Sequence, residues 1–213
     1  MNQLLRYTQR AGNALPLLIA LGAELVEMGL VLGNGGNLSL RQGDTVFITR
    51  SGASLDQLAP DDFLPVPLPE PYHPSDQRPR PSIETPMHLA AYRAQPDARV
   101  VVHCHPVHAI AWAMQAETLP ACTPDFVVYV GSGIPVVPYL HPGSEPLAAA
   151  VSQALSEHPA LLLANHGVLV TGESVAQARL RTLLIDETAH LCLLAAAAGK
   201  VRPLEPHQLA KYR

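Results

Sequence analysis

The sequence predicts an α/β fold, in which one domain has a mixed, largely antiparallel central sheet with helices on its faces. Segments with helical periodicity lie at both ends and in the middle of the chain, and short apolar runs lie between them. The strands come in clusters, without the strict alternation with helices that a doubly wound parallel sheet requires. The length of 213 residues suits a single domain over residues 1–213, with a tail from about residue 200.

The first part of the chain predicts a helix, a hairpin and an edge strand. Apolar residues recur at helical spacing from Leu15 to Met28, and Gly29 is suited to end that helix. Two apolar runs flank the turn Gln42-Gly43-Asp44 and predict an antiparallel hairpin. Phe63 to Val66 predicts an edge strand within the proline-rich stretch 58–80, which is expected to run over the surface as a long loop.

The rest of the chain predicts helices and strands that end in turn residues. Helices are indicated by apolar periodicity and by capping residues at their starts, and strands by β-branched apolar runs. The predicted helices begin near Pro81, with Ser82 as cap, and span Val107 to Met114, Glu145 to Glu157 and Ser174 to Ala198. The predicted strands span Arg99 to His105, Ala121 to Val130, Ile134 to Tyr139, Ala160 to Ala164 and Val168 to Thr171.

Composition and charge argue against several classes of partner. The formal net charge of -4 gives no basic excess for binding nucleic acid or acidic membranes. The three cysteines form no C-x-x-C pair, so neither a disulfide framework nor a cysteine zinc site is expected. The apolar run near the N-terminus is interrupted by Glu24 and Glu27 and is too short to cross a membrane. We therefore expect a cytoplasmic protein that binds neither nucleic acid nor membranes.

Two histidines, His103 and His105, end the apolar run V-V-V-H-C-H-P. Side chains two residues apart on a strand point to the same face, so both imidazoles project together while Cys104 faces the other way. Imidazole is the commonest ligand for divalent transition metals, and a catalytic zinc site usually has three protein ligands. His166, at the end of a second apolar run, is the candidate third ligand. From spacing alone, ordinary half-buried histidines at strand ends are the alternative interpretation.

Three turns of small residues and one carboxylate complete the candidate site. Gly36-Asn37 and Ser51-Gly52 lie in turns whose backbone N–H groups can hold an anion, although a flexible turn is the simpler interpretation of the first. Ser82 precedes Glu84, which is expected in the first turn of a helix. A carboxylate there satisfies helix N–H groups, and this structural role is its default interpretation.

Five motifs, taken together, resemble those of one family. G-N-G-G-N-L-S, I-T-R-S-G, P-S-I-E-T-P-M-H, V-V-H-C-H and L-A-N-H-G-V are similar to motifs of the class II aldolase and adducin family, over a range from Leu15 to about Leu194. Five motifs in matching order are more specific than any one of them. The family includes L-fuculose-1-phosphate aldolases, L-ribulose-5-phosphate 4-epimerases, methylthioribulose-1-phosphate dehydratases and 3-oxo-tetronate 4-phosphate decarboxylases.

The resemblance implies a role for each motif. His103, His105 and His166 match the family's metal ligands, and Glu84 matches its acid/base, which can also occupy the metal when substrate is absent. Zn2+ is the expected ion, with Mn2+, Co2+ and Fe2+ as alternatives. The positions that match the phosphate-binding loops are Gly36, Asn37, Ser51, Gly52 and Ser82.

The implied activity is that of a metal-dependent lyase, which breaks a carbon–carbon bond of a small phosphorylated sugar or sugar acid through a metal-stabilised enediolate. The first interpretation is an L-fuculose-1-phosphate aldolase-like enzyme. However, Thr123-Pro124 stands where those aldolases carry a tyrosine, and Ile83 stands where they often have a second serine. A 3-oxo-tetronate 4-phosphate decarboxylase is therefore the first alternative.

Further alternatives follow from the same resemblance. The dehydratase and the epimerase come next, and Glu84 replaces the aspartate that is usual in the epimerase. An adducin-like interaction module is the non-enzyme alternative, and retention of the three histidines and Glu84 argues against it. Family members are typically homotetramers with the site at a subunit interface. By this resemblance Tyr212 reaches a neighbour's site, whereas a disordered chain end is the alternative.

Overall fold

A computed structural model describes residues 14–69, 72–73 and 78–212, which form one α/β domain around an eight-stranded sheet. The strands are β1 (Asn37–Gln42), β2 (Thr45–Thr49), β3 (Phe63–Pro67), β4 (Val100–Cys104), β5 (Thr118–Pro120), β6 (Gly133–Val137), β7 (Ala160–Leu163) and β8 (Gly167–Gly172). Their order in the sheet is β3-β2-β1-β4-β8-β7-β6-β5. Every neighbouring pair is antiparallel except β6 and β7. The predicted mixed, largely antiparallel sheet is confirmed.

Helices cover both faces of this sheet. They are α1 (Ala14–Glu27), α2 (Thr85–Ala94), α3 (Val107–Ala113), α4 (Pro124–Tyr129), α5 (Glu145–Leu155), α6 (Val175–Ala197) and α7 (Pro206–Leu209). The apolar side chains of α2 and α5 form one core layer with β2, β4 and β7, and those of α1, α3, α4 and α6 form the other. In the part of the chain that is described, no helix has the length and apolar character needed to cross a membrane.

The central strand β4 shows how strand alternation directs a histidine. Val100, Val102 and Cys104 pack in the layer that contains α6, whereas Val101 packs in the layer that contains α2. Because successive side chains of a strand point to opposite faces, His103 shares the face of Val101. The strand therefore directs this imidazole to the side of the sheet that carries α2.

The hairpin and the edge strand predicted near the start of the chain are confirmed. β1 and β2 pair antiparallel, with Ser39 opposite Ile48, and they are separated by the two residues Gly43 and Asp44. β3 lies at one end of the sheet, where its prolines need not donate hydrogen bonds to a further strand.

The prediction of a strand over residues 121–130 is wrong, because that segment contains the short helix α4. The Thr123 hydroxyl accepts a hydrogen bond from the backbone N–H of Phe126 at 3.3 Å, and Pro124 occupies the start of the helix. This cap and the fixed φ of proline favour a helix start over the strand propensity of the valines that follow. The buried Phe126 anchors the helix in the core.

The C-terminal segment packs onto the domain. Gly199 lies just beyond α6 and has a φ of 134°. The backbone N–H of Leu204 then donates to the carbonyl of Ala121 at 2.9 Å, and α7 and a 3-10 turn over Ala210–Tyr212 follow. As far as residue 212, the chain end is therefore structured and not an irregular tail.

α1 offers a matched pair of variants that separates apolar packing from ion pairing. Leu25 is fully buried, whereas the neighbouring Glu24 forms a partly exposed ion pair with Arg179 of α6. We expect Leu25→Ala to lower the free energy of unfolding by about 2–5 kcal/mol, because it removes buried surface and leaves a cavity. Glu24→Gln should lower it by about 1 kcal/mol or less, since exposed ion pairs contribute little. Urea denaturation at one protein concentration measures both, and equal losses would contradict this account.

Candidate metal centre

Three imidazoles converge where β4 and β8 lie side by side. His103 lies within β4, His105 follows that strand, and His166 lies in the turn between β7 and β8. Their ligand atoms all lie within 4.8 Å of one another. The ring centroid of His103 is 4.8 Å from each of the other two. The structure therefore brings the three histidines singled out in the sequence into one cluster.

His103 is held in the tautomer that a metal ligand needs. Its ring is buried, and its Nδ1 lies 2.8 Å from the carbonyl oxygen of Val168. A carbonyl only accepts, so the ring proton is on Nδ1 and the lone pair of Nε2 faces the cluster. The Nε2 of His105 lies 3.0 Å from this atom, so two imidazole nitrogens are directed at one small volume.

Glu84 brings a carboxylate to the same place. It is the N-cap residue of α2, and its oxygens lie 3.1 Å from Nε2 of His103 and 3.3 Å from Nε2 of His166. Asn37 Nδ2 donates a hydrogen bond to Glu84 Oε2 at 2.8 Å. The other oxygen, Oε1, is buried and has no hydrogen-bond partner among the described residues, so its contact with His166 is close but not hydrogen-bonded. Buried acceptors left unpaired in this way are rare in folded proteins.

The donor set fits a divalent transition metal. Imidazole nitrogens and carboxylate oxygens are the usual ligands of such ions. A cation also satisfies the unpartnered Oε1 of Glu84 and offsets the cost of burying a carboxylate. His103, His105, His166 and Glu84 are the residues that would hold it.

Burial and neighbouring charges determine the protonation states in the cluster. Burial raises the pKa of Glu84. When no metal is bound and His103 carries a second proton, on Nε2, that ring and the hydrogen bond from Asn37 outweigh burial and hold the pKa of Glu84 well below its usual range. Burial lowers the pKa of His105 to about 4, and it also lowers the pKa of His166. At neutral pH the carboxylate is therefore ionised and these two rings are neutral, which are the forms that bind a metal.

Glycines allow the backbone to approach the cluster closely. A Cβ at Gly167 would lie 2.3 Å from the carbonyl oxygen of Cys104 and 2.8 Å from Cδ2 of His105. A Cβ at Gly36 would lie 2.8 Å from the carbonyl oxygen of His103, and Gly36 has a φ of 71°. Backbone oxygens cannot move aside without shifting the strand, so both positions need a residue without a side chain. Gly36 therefore has a structural role whether or not its turn binds phosphate.

Two of the candidate phosphate-binding turns lie against each other. The N–H of Ser51 donates at 2.9 Å to the segment that leads to Ser82, and the N–H of Ser82 donates to the carbonyl of Thr49 at 3.0 Å. Gly52 is in the same turn as Ser51. The hydroxyl of Thr49 also accepts at 3.2 Å from the backbone N–H that follows Asn37 in β1. Thr49, which the sequence did not single out, therefore joins both turns to β1.

Ser82 does not cap the helix as expected. α2 begins at Thr85 with Glu84 as its N-cap residue, and Pro86 in the first turn favours a start at this point. The Ser82 hydroxyl instead accepts from the backbone N–H of Glu84 at 3.2 Å, and the Thr85 hydroxyl donates to the Ser82 carbonyl at 2.6 Å. This local turn fixes the backbone that carries the carboxylate.

Asn37 is held by hydrogen bonds at both ends of its side-chain amide. Besides the bond to Glu84, its Oδ1 lies 2.6 Å from Nε2 of His88. On the far side of that ring, Nδ1 lies 2.7 Å from the hydroxyl of Ser39, which in turn lies 2.9 Å from the hydroxyl of Tyr92. Sequence reasoning missed this chain of groups. The available signal was the spacing of four between Glu84, His88 and Tyr92, which places them on one helix face.

Other conspicuous residues lie outside the cluster. The His108 Nδ1 lies 2.9 Å from a carboxylate oxygen of Asp186, and its ring stacks on that of His190 with centroids 4.0 Å apart. Cys104 is buried in the core as expected, and burial raises the pKa of its thiol. Tyr212 is 43% exposed in the C-terminal 3-10 turn, and within the described residues it forms no hydrogen bond or ion pair with the cluster.

A glycine variant tests how strongly the backbone approach controls metal binding. We expect Gly167→Ala to weaken binding of a divalent ion by about tenfold or more. Its Cβ would force β8 away from β4 and so move His105 and His166. Gly43→Ala is the control, because Gly43 lies in the turn at the end of β1 away from Asn37 and a Cβ there meets nothing within 4 Å. Its φ of 58° strains an alanine without a collision, so this variant reports the cost of backbone strain alone. Calorimetric titration of metal into chelator-treated protein measures the affinity. Equal affinities for the two variants would contradict this expectation.

Comparison with known proteins agrees with this architecture. Residues 17–193 match the family model described as Class II Aldolase and Adducin N-terminal domain. The chain is 34% identical over 181 residues to the 3-oxo-tetronate 4-phosphate decarboxylase of Haemophilus influenzae, covering 82% of this chain and 84% of that protein. It is 30% identical over 181 residues to the L-fuculose phosphate aldolase of the same organism, covering 85% and 82%.

One solved structure of an L-fuculose-1-phosphate aldolase also has a similar fold. The crystal structure of L-fuculose-1-phosphate aldolase from Thermus thermophilus superposes with a TM-score of 0.78 at 28% identity, over 89% of this chain and 97% of that one. The family match includes β4, β8 and the start of α2, which carry the histidine cluster and Glu84. The chain therefore belongs to the class II aldolase and adducin family, as an enzyme of the class II aldolase type.

Proposed function

We propose that this protein is a metal-dependent lyase that cleaves a carbon–carbon bond in a small phosphorylated sugar or sugar acid. One observation carries the proposal: three imidazoles and a buried carboxylate with an unpartnered oxygen meet within a few ångströms. Three nitrogen ligands leave coordination positions for substrate, which is the arrangement of a catalytic and not a structural site.

In this proposal the three histidines hold the ion and Glu84 transfers the proton. When bound, a divalent cation supplies Lewis-acid polarisation of the substrate's carbonyl and hydroxyl oxygens. Zn2+ is our first assignment, because imidazole suits it, and Mn2+, Co2+ and Fe2+ are the alternatives. The tautomer of His103 is already fixed by Val168, so this ligand needs no reorganisation before it binds.

In the proposed reaction, Glu84 acts as the acid/base at the carbon next to the substrate carbonyl. When the carbon–carbon bond breaks, its electron pair stays on that carbon, and a proton must reach the carbon to complete the reaction. Glu84 takes that proton from water and delivers it. Its carboxylate is only slightly exposed, with a side-chain exposure of 7%, so bulk water does not compete freely at the reacting atom.

The turns that carry Ser51, Gly52 and Ser82 are the proposed phosphate site. Backbone N–H groups and small hydroxyls in turns with positive φ form concave anion sites, and Gly52 has a φ of 75°. Their attachment to β1 through Thr49 connects the phosphate site to the strand that begins at Asn37, directly after Gly36. A phosphate held there would fix the carbon skeleton relative to the metal.

Decarboxylation is favoured over aldol cleavage by the structure around Thr123. Aldol cleavage needs a group that takes the proton from the hydroxyl of the departing aldehyde, whereas departing carbon dioxide carries no hydroxyl. By resemblance, Thr123 and Pro124 stand where the aldolases carry a tyrosine. Proline has no side-chain group that can take a proton, and the Thr123 oxygen already accepts the helix-cap hydrogen bond. The 34% identity to a 3-oxo-tetronate 4-phosphate decarboxylase supports the same choice. Aldol cleavage of a fuculose-1-phosphate-like substrate is the second candidate, supported by the relative at 30% identity.

A homotetramer in the cytoplasm completes the proposal. Large apolar side chains are exposed on α3 and α6, including Val107, Leu191 and Leu194, and they offer a surface for a second copy. Tyr212 would then reach a neighbouring subunit's site. Three cysteines without a C-x-x-C pair fit a reducing compartment.

The role of Glu84 has a direct test. Glu84→Gln keeps the shape of the side chain but removes its acid/base function, so we expect turnover to fall by about 10²- to 10⁴-fold. The metal content should stay near one ion per chain, because the three histidines remain. Glu24→Gln, which makes the same change at a partly exposed position, is the control. Turnover and metal content are measured on the same preparations, and full activity of Glu84→Gln would refute the assignment.

A product assay distinguishes the candidate reactions. Metal-replete protein is offered 3-oxo-tetronate 4-phosphate, fuculose-1-phosphate, ribulose-5-phosphate and methylthioribulose-1-phosphate, with a chelated sample as control. We expect metal-dependent release of carbon dioxide from the first substrate. Dihydroxyacetone phosphate from fuculose-1-phosphate without carbon dioxide would establish aldol cleavage instead. Turnover of only one of the last two would indicate an epimerase or a dehydratase, and no turnover with metal bound would favour an interaction module.

A further inference from the structure

We propose that His88 is a positioning residue for the reaction: it fixes the side-chain amide of Asn37 so that the amide N–H, and not the carbonyl, faces Glu84. Ser39 and Tyr92 fix His88 in turn. This inference rests on the proposed function of Glu84 as the acid/base. It assigns a role to three residues that lie behind the metal centre and whose side chains are linked to Glu84 by hydrogen bonds through Asn37.

The groups form one buried row between α2 and β1. Glu84, His88 and Tyr92 are four residues apart on the helix, and Asn37 and Ser39 are two apart on the strand, so each set lies on one face. Side chains from the two elements alternate along the row. All five are buried, with exposures of 5% for Glu84 and Asn37, 1% for Tyr92 and none for His88 and Ser39.

The hydrogen bonds permit one consistent arrangement of protons. The Asn37 amide nitrogen donates to Oε2 of Glu84 at 2.8 Å, so this end of the amide faces the carboxylate. The Asn37 carbonyl oxygen then faces Nε2 of His88 at 2.6 Å and must accept from it. This places the ring proton on Nε2, so Nδ1 accepts from the Ser39 hydroxyl at 2.7 Å. The Ser39 oxygen is left to accept from the Tyr92 hydroxyl at 2.9 Å, and it is a nearer acceptor for that hydroxyl than the Arg99 carbonyl at 3.4 Å.

Each hydrogen bond in the row excludes one alternative orientation or tautomer of the next side chain. If the Asn37 amide flipped, its carbonyl would face the carboxylate, and two N–H groups would face each other at His88. If His88 carried its proton on Nδ1, its Nε2 could not donate to Asn37, and the amide would be free to flip. Burial holds the pKa of His88 at about 3, so the ring keeps a single proton at neutral pH. The fold interior therefore determines which atom Glu84 meets.

A purely structural role for His88 is the competing explanation, and two substitutions separate the two roles. A glutamine side chain places its amide near the position of Nε2 and can still donate to Asn37, whereas an asparagine side chain reaches only as far as Nδ1. Both leave a polar amide in a buried site, so their effects on stability should be similar. They differ in whether Asn37 keeps its donor.

We expect His88→Asn to lower kcat by about 10- to 100-fold, because a mispositioned acid/base loses orientation and not binding. His88→Gln should stay within about fivefold of the unchanged protein, and KM should change by less than about threefold in both. Metal content and melting midpoint are measured on the same samples. Equal kcat in the two variants, or a kcat that follows the melting midpoint alone, would overturn the proposal.

Side-chain nitrogen NMR measures the tautomer of His88 directly and does not depend on turnover. In the unchanged protein with metal bound, His88 should be the neutral tautomer with its proton on Nε2, and the Asn37 side-chain amide should be protected from exchange. Ser39→Ala should populate both tautomers, and it serves as the test if a His88 variant does not fold. A proton on Nδ1 in the unchanged protein would refute the inference. Inactivity on every substrate together with the expected tautomer would instead refute the proposed function alone.

Discussion

The pairing of β4 with β8 is the constraint on which the metal centre depends. The register places Cys104 opposite Val168 and His103 opposite Leu169, between two buried core layers. The Val168 carbonyl also accepts the ring proton of His103, so the strand that flanks the ligand also sets its tautomer. A slip of one residue would turn His103 into the opposite layer and separate it from Glu84. Core packing on both faces of the sheet therefore maintains the geometry of the site.

Different secondary-structure elements carry the different groups of the site. The end of β4 and the turn before β8 carry the three candidate ligands, the start of α2 carries the carboxylate, and the turns around Ser51 and Ser82 lie against each other. Burial of Glu84 would be costly for an isolated carboxylate, but hydrogen bonds and nearby imidazoles offset that cost. The same burial limits the solvent that can reach the proposed acid/base. The buried, hydrogen-bonded environment of Glu84 therefore both keeps its carboxylate ionised and shields it from solvent.

Much of the metal centre was predictable, because its signals are local. The alternation of a strand predicts that His103 and His105 project together, and the apolar run before His166 makes it the candidate third ligand. The resemblance supplied the role of Glu84. The row behind Asn37 was missed because its hydrogen bonds join residues about 50 positions apart in the sequence, as from Ser39 to His88. α4 was missed for another reason. Its valines favour a strand, and the cap at Thr123 overrides that preference only through a hydrogen bond that composition does not show.

The glycines around the cluster bear on how such a site can change over evolutionary time. Gly36 and Gly167 lie against the backbone of β4, where any side chain would collide with a carbonyl oxygen. Neither offers a side chain that a substrate could meet, yet a survey of all substitutions should find them as intolerant as the ligands. Substitutions that change the substrate preference would then occur at exposed positions such as Ile83, which is 62% exposed and precedes Glu84. The backbone packing of the centre thus restricts diversification to its rim.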